Sequence, residues 1–72
     1  MKIRIRVGKK IKELRQNKNI SLTALSEKSG VQIATLSRIE NDKMTGTIET
    51  HALLAKALNV GLDEIFKDMR II

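Results

Sequence analysis

The chain has 72 residues, no cysteine, no proline and a formal net charge of +6. A chain this short buries only about 60% of the surface its unfolded form exposes, so one small domain with a thin stability margin is expected. Without cysteine, neither a disulfide nor a thiolate metal site can supplement the core, and the absence of proline suits a chain built mostly of helices. No apolar run approaches the roughly 20 residues of a membrane-spanning helix. Met1-Lys2-Ile3-Arg4-Ile5-Arg6 is too short and too charged for a signal-peptide core. A cytoplasmic location is expected, and the lack of cysteine is compatible with it. The charge is polarised. Residues 1–18 hold eight basic side chains against one acid, and residues 46–72 hold three basic against four acidic. That pattern suits a polyanion partner, although it also suits plain solubility.

Ile3, Ile5 and Val7 alternate with charged residues, as in a short strand or an extended arm. Val7, Ile11 and Leu14 then recur at helical spacing and predict an amphipathic helix from Val7 to Asn17. Asn17-Lys18-Asn19 ends it with poor helix formers. Ile20 reads as a staple before Ser21, a good N-cap. A second helix follows from Leu22 to Ser29, with Leu22 and Leu25 inward. Gly30 supplies the left-handed position after it. The third helix runs from about Ile33 to Asn41, with Leu36 and Ile39 inward and Val31 packed beneath the turn.

Residues 41–46 read as a loop, and Thr47 caps a fourth helix from Ile48 to Leu58. Its expected inward face is Ile48, His51, Ala52, Ala55 and Leu58, with Leu53 toward solvent. Asn59-Val60-Gly61 breaks it. A short fifth helix, Leu62 to about Lys67, carries Ile65 and Phe66 as core plugs. Its Asp63 and Glu64 lie in the first turn, where the helix dipole favours acids. Gly8, Gly30, Gly46 and Gly61 are all placed at helix boundaries. Met69-Arg70-Ile71-Ile72 is more apolar than a free tail and, with Leu53, is a candidate dimer or domain contact. The expected organisation is an arm or strand over 1–6, a helical domain over 7–67 and a tail over 68–72.

With these residues placed, the chain resembles the phage-repressor/Cro-like helix-turn-helix family, also called xenobiotic-response-element-like. The resemblance rests on Lys12-Glu13-Leu14-Arg15 late in the first helix, Ile20-Ser21-Leu22 opening the second, and Gly30-Val31 at the turn. It continues through Leu36-Ser37-Arg38-Ile39-Glu40-Asn41, Leu54-Ala55-Lys56-Ala57-Leu58-Asn59-Val60 and Leu62-Asp63-Glu64-Ile65-Phe66. It implies an all-α, five-helix, lambda-repressor-like DNA-binding domain that acts as a transcriptional regulator, usually as a dimer. Four positions depart from the family pattern. Ser26 stands where alanine is preferred, and its hydroxyl fits the space and can bond back into its own helix. Gln32 stands where serine or threonine usually caps the reading helix. Gly46 replaces a common proline, and His51 a frequent leucine.

A major-groove helix reads bases from its first turns and its outward face. With Leu36 and Ile39 buried, helical spacing turns Ile33, Ala34, Ser37, Arg38 and Asn41 outward. The resemblance makes Gln32, Ile33, Ala34 and Arg38 base-reading candidates, with Ser37 beside them. Gln32 suits an adenine edge. Ile33 and Ala34 have no donors and suit thymine methyls, Ile33 alternatively packing against the turn. Arg38 suits a guanine or a phosphate. Phosphate candidates are Ser21 and Leu22 through the amides opening the second helix, then Thr35, Asn41, Lys43, Thr45 and the amides at Thr47. Arg15 and Glu40 match a family ion pair between the first helix and the reading helix. Lys2, Arg4 and Arg6 read either as an arm on the DNA or as part of a strand on a partner chain.

His51 is expected to be a satisfied, partly buried core residue, not a ligand or catalyst. The sequence has no glycine-rich phosphate loop, metal-ligand spacing or nucleophile–base pair, so neither enzyme activity nor a cofactor is expected. The expected partner is double-stranded DNA carrying an inverted repeat, bound by a homodimer. The rival readings are a protein-interaction module or antitoxin-like partner on the same helices, and an RNA binder. The last is disfavoured because Phe66 is the sole Phe, Trp or Tyr for base stacking.

Overall fold

The computed structural model describes residues 7–66 in full and residues 3–4 and 70–71 as backbone. In chain order the elements are β1 (Ile3–Arg4), α1 (Val7–Asn17), α2 (Leu22–Ser29), α3 (Ile33–Glu40), α4 (Ile48–Ala57), α5 (Leu62–Ile65) and β2 (Arg70–Ile71). The five helices form one core of Val7, Ile11, Leu25, Val31, Leu36, Ile39, Leu54, Ala55, Leu58 and Ile65. Leu14, Ile20, Leu22 and Phe66 close its margin. Helix α1 packs on α3 and α5, α2 on α3 and α4, and α4 on α5.

The helix starts follow local chemistry. Ser21 Oγ accepts from the Ala24 amide at 3.0 Å, and Thr47 Oγ1 from the Thr50 amide at 3.2 Å. Each satisfies one of the orphan donors of a first turn. Three helix ends share a second device. Asn19, Asp42 and Asn59 take φ of 55°, 58° and 58°. The next amide in each case reaches back to a carbonyl five residues earlier: Ile20 to Arg15, Lys43 to Arg38 and Val60 to Ala55, at 3.0, 2.8 and 3.0 Å. This is the six-to-one closure of a helix C-terminus, with short polar residues in the left-handed position usually given to glycine.

The structure corrects several expectations. Helix α4 buries His51, Leu54 and Ala55, its C-cap Leu58 continues that 3.6-residue stripe, and Ala52 turns outward. Ile48, at the first helical position, is 58% exposed. Reading the stripe forward from Ile48 therefore mistook the helix's outer edge for its core. The third and fourth helices each end one residue earlier than expected, at Glu40 and Ala57, and α5 ends at Ile65. Gly8 is not a boundary but the second residue of α1. A Cβ there would run into the carbonyl oxygen of Ile39 and lie 3.0 Å from Asp42 Oδ1. Gly8 thus lets α1 approach the last turn of α3 closely.

Segment 3–4 pairs antiparallel with the chain's own residues 70–71, Ile3 opposite Ile71 and Arg4 opposite Arg70. The pairing ties the two ends of the sequence together. Other expectations for the termini, on Lys2, Ile5, Arg6, Lys67, Met69 and Ile72 and on the side chains of Arg4 and Ile71, lie outside the described residues.

Gly8→Ala provides a test of the close approach. Helix propensity alone favours alanine by about 1 kcal/mol. A clash with a backbone oxygen, which no rotamer relieves, costs about 1–3 kcal/mol. The clash is expected to win, so urea unfolding should show a net loss of up to about 2 kcal/mol. A gain in stability would place α1 farther from α3.

Candidate nucleic-acid interface

Helix α3 has one wholly buried side and one open side. Leu36 and Ile39 are fully buried. Gln32, Ala34 and Arg38 are exposed, Ile33 is 45% exposed, and Thr35 and Ser37 are half-buried. Gln32 enters the helix with extended backbone (ψ 140°) and makes no side-chain cap bond. The first turn therefore opens without a capping side chain. Its leading amides and the Gln32, Ile33 and Ala34 side chains face the same open end.

The turn before α3 is held by serines. Ser26 Oγ donates to the Val31 carbonyl at 2.6 Å, so its hydroxyl reaches across the turn instead of back into its own helix. The Val31 amide donates to Ser29 Oγ at 3.1 Å. Both polar groups of buried Val31 are thereby satisfied, as burial requires. Between them Gly30 takes φ 78°, and its amide bonds the Ser26 carbonyl. Sequence reasoning missed the role of Ser29, whose signal was a small hydroxyl residue immediately before the left-handed glycine.

Arg15 joins three elements. Its Nε donates to Glu40 Oε2 at 2.8 Å and its Nη2 to Glu40 Oε1 at 3.0 Å, a two-pronged contact between α1 and α3. Its Nη1 donates to the Ile20 carbonyl at 3.0 Å, just before α2. Both side chains are largely buried, at 14% and 5% exposure. The bond to Glu40 raises the Arg15 pKa above its ordinary value, against a smaller opposing effect of burial. A raised pKa on a cation adds stability that is fully present below the ordinary arginine range. That stability is lost only as pH climbs through the raised value, so Arg15 stays charged throughout neutral conditions. By contrast, Lys10 and Glu64 at 3.9 Å form a looser pair whose carboxylate is more open to solvent.

The phosphate candidates occupy different settings. Ser21 is exposed at the start of α2, its oxygen engaged by Ala24. The Leu22 side chain is half-buried at the core margin, which leaves only its amide for an outside partner. Thr35 is half-buried on α3. Asn41 is exposed, and its Nδ2 donates to the Ser37 carbonyl at 2.9 Å and contacts Ser37 Oγ at 3.4 Å, so these two side chains act as one group. Lys43, Thr45 and Thr47 are exposed along the loop between α3 and α4. The described helices include none long and apolar enough to cross a membrane.

Residues 11–65 match the Helix-turn-helix family. The chain is 34% identical over 61 residues to the HTH-type transcriptional regulator PuuR of Escherichia coli strain K12, and equally to that of Shigella flexneri. The match covers 85% of this chain and 33% of each relative, so the chain spans about a third of their length. Among solved structures, it resembles SinR in complex with DNA, described as the master regulator for biofilm formation (TM-score 0.78, 33% identity, 82% of this chain and 95% of that one). It also resembles a chain of the SinR–SinI protein complex (TM-score 0.81, 32% identity, 86% and 61%). A third is an HTH_3 family transcriptional regulator from Vibrio cholerae (TM-score 0.83, 28% identity, 88% and 35%).

Glu40→Ala leaves a largely buried guanidinium without its carboxylate. Loss of a charged, buried partner costs about 2–4 kcal/mol. Thermal or urea unfolding should show a loss of that size. An unchanged melting temperature would contradict the clamp.

Proposed function

Because the chain belongs to the Cro/C1-type helix-turn-helix family, we propose that it binds double-stranded DNA sequence-specifically through α3 and regulates transcription as a repressor-type protein. The observation that carries this reading is the two-sidedness of α3. Leu36 and Ile39 lock its inner face, while Gln32, Ile33, Ala34 and Arg38 stand outside with no partner element over them among the described residues. The open side combines an amide group and two apolar side chains at its first turn with a guanidinium in its last. Thymine methyls, an adenine edge and a guanine edge or phosphate are the chemistries these recognise.

Affinity and register come from the phosphates. Lys43 and Thr45 in the loop, the amides opening α2 and α4, Thr35 and Asn41 supply the contacts. A homodimer places two reading helices about 34 Å apart on an inverted-repeat operator. The relatives named above as transcriptional regulators, and the SinR structure with DNA, support the assignment. No cofactor or catalytic step enters this reading, and a cytoplasmic site of action accords with it. The RNA alternative finds no support, since Phe66 is half-buried with its ring against His51.

Selection from random duplex DNA is expected to enrich a half-site containing thymine beside a base read by Gln32 or Arg38. Arg38→Ala should weaken the selected duplex by about tenfold to hundredfold, the loss of one good base contact. Six phosphate contacts give a log–log salt slope of about −5. A slope near zero, or full affinity in Arg38→Ala, would overturn the reading.

A further inference from the structure

His51, the chain's single histidine, lies in α4 and is only 4% exposed. Two groups fix its ring. Nε2 is 2.7 Å from the carbonyl oxygen of Thr45, and Phe66 stands edge-on with ring centroids 5.3 Å apart and planes at 76°. A carbonyl oxygen only accepts, so Nε2 carries a ring proton and donates it to Thr45. Nδ1 is buried without a partner among the described residues. For core packing alone, an apolar side chain fills such a place without an orphaned nitrogen. The imidazole adds a donor aimed at the loop.

The loop depends on that donor. Its upstream end is tied where the Lys43 amide bonds the Arg38 carbonyl at 2.8 Å. Its downstream end is tied at Thr47, whose side chain and carbonyl accept from the amides of Thr50 and His51. Between them, across Met44, Thr45 and Gly46, the bond from His51 is the one hydrogen bond found among the described residues. The same ring lines the Gly46 backbone. A Cβ at Gly46 would lie 3.1 Å from Ile39 Cδ1 and 3.5 Å from His51 Nε2. The stretch thus lies between the inner side of the reading helix, at Ile39, and the imidazole of α4.

We propose that His51 is a positioning residue for DNA binding: through the Thr45 carbonyl it sets the path of the loop, and with it the placement of Lys43, Thr45 and Thr47 relative to α3. The proposal rests on the phosphate-contact reading of the loop. His51 touches no DNA in it and acts through the backbone of Thr45.

The test compares wild type, His51→Leu, His51→Gln and the loop variant Lys43→Ala/Thr45→Ala. Each is titrated with a random-sequence duplex at low salt, with thermal melting in parallel. His51→Leu is expected to stay folded and to bind about threefold to tenfold more weakly, as expected for one lost hydrogen bond. His51→Gln, whose amide can donate to the same carbonyl, should recover most of that affinity. In the Lys43→Ala/Thr45→Ala background, His51→Leu should cost less than in the wild type, because two of the three groups it positions are already gone.

If the loop variant binds weakly while His51→Leu binds like wild type, positioning by His51 is overturned and the phosphate reading stands. If the loop variant itself binds like wild type, the phosphate reading fails and takes the proposal with it. A lowered melting temperature with full affinity of the folded protein would make His51 purely structural and overturn the proposal. Should His51→Leu not fold, nitrogen NMR of the wild-type ring decides. A proton on Nε2 together with near-wild-type binding by His51→Gln supports the proposal, and a ring protonated on Nδ1 alone overturns it.

Discussion

An eight-residue helix does not persist alone in water, because the cost of nucleation outweighs the few bonds that follow. The whole interface therefore depends on what holds α3 in place. Leu36 and Ile39 bury its inner side, and α1 grips it at its C-terminal end. Gly8 lies against the Ile39 carbonyl, and Arg15 forks onto Glu40. A helix gripped at one end and buried along one side can present the other end freely. That end, at Gln32, Ile33 and Ala34, is where the side-chain caps stop.

The remaining polar chemistry serves the joints on either side of α3. Upstream, Ser26 and Ser29 close the turn around Val31, so both its amide and its carbonyl are satisfied within a few residues. Downstream, Asp42 in the left-handed conformation and His51 beneath Thr45 direct the chain into α4. In a domain with a small core, such local bonds fix geometry that packing alone leaves loose. Arg15 contributes on both sides, since its third contact is the Ile20 carbonyl at the entry to α2.

Much of the helical layout was legible in the residues. Val7, Ile11 and Leu14, the Ser21 cap and Gly30 placed α1 and α2 with the bounds the structure has. Leu36 and Ile39 similarly gave the correct inward side of α3. Each of these signals acts within one or two turns of backbone, so a linear reading captures it. On α4 the same reasoning slipped. The periodicity permits a stripe to begin at Ile48, and only neighbouring helices decide that the core starts at His51 and includes Leu54.

What lies open to a reader of the residue order is therefore the set of amphipathic segments, their caps and the side chains that must point outward once Leu36 and Ile39 turn in. Three-dimensional packing settled the rest. Gly8 became a contact surface, Ser26 bonded across the turn, the ends met as Ile3 with Ile71, and His51 came under Thr45. The division has a physical cause. Propensity and periodicity are properties of consecutive residues. Gly8 against Ile39 and the Arg15–Glu40 fork join atoms far apart in the chain, and even the short-range bonds of Ser26 and His51 depend on loop paths that periodicity does not specify.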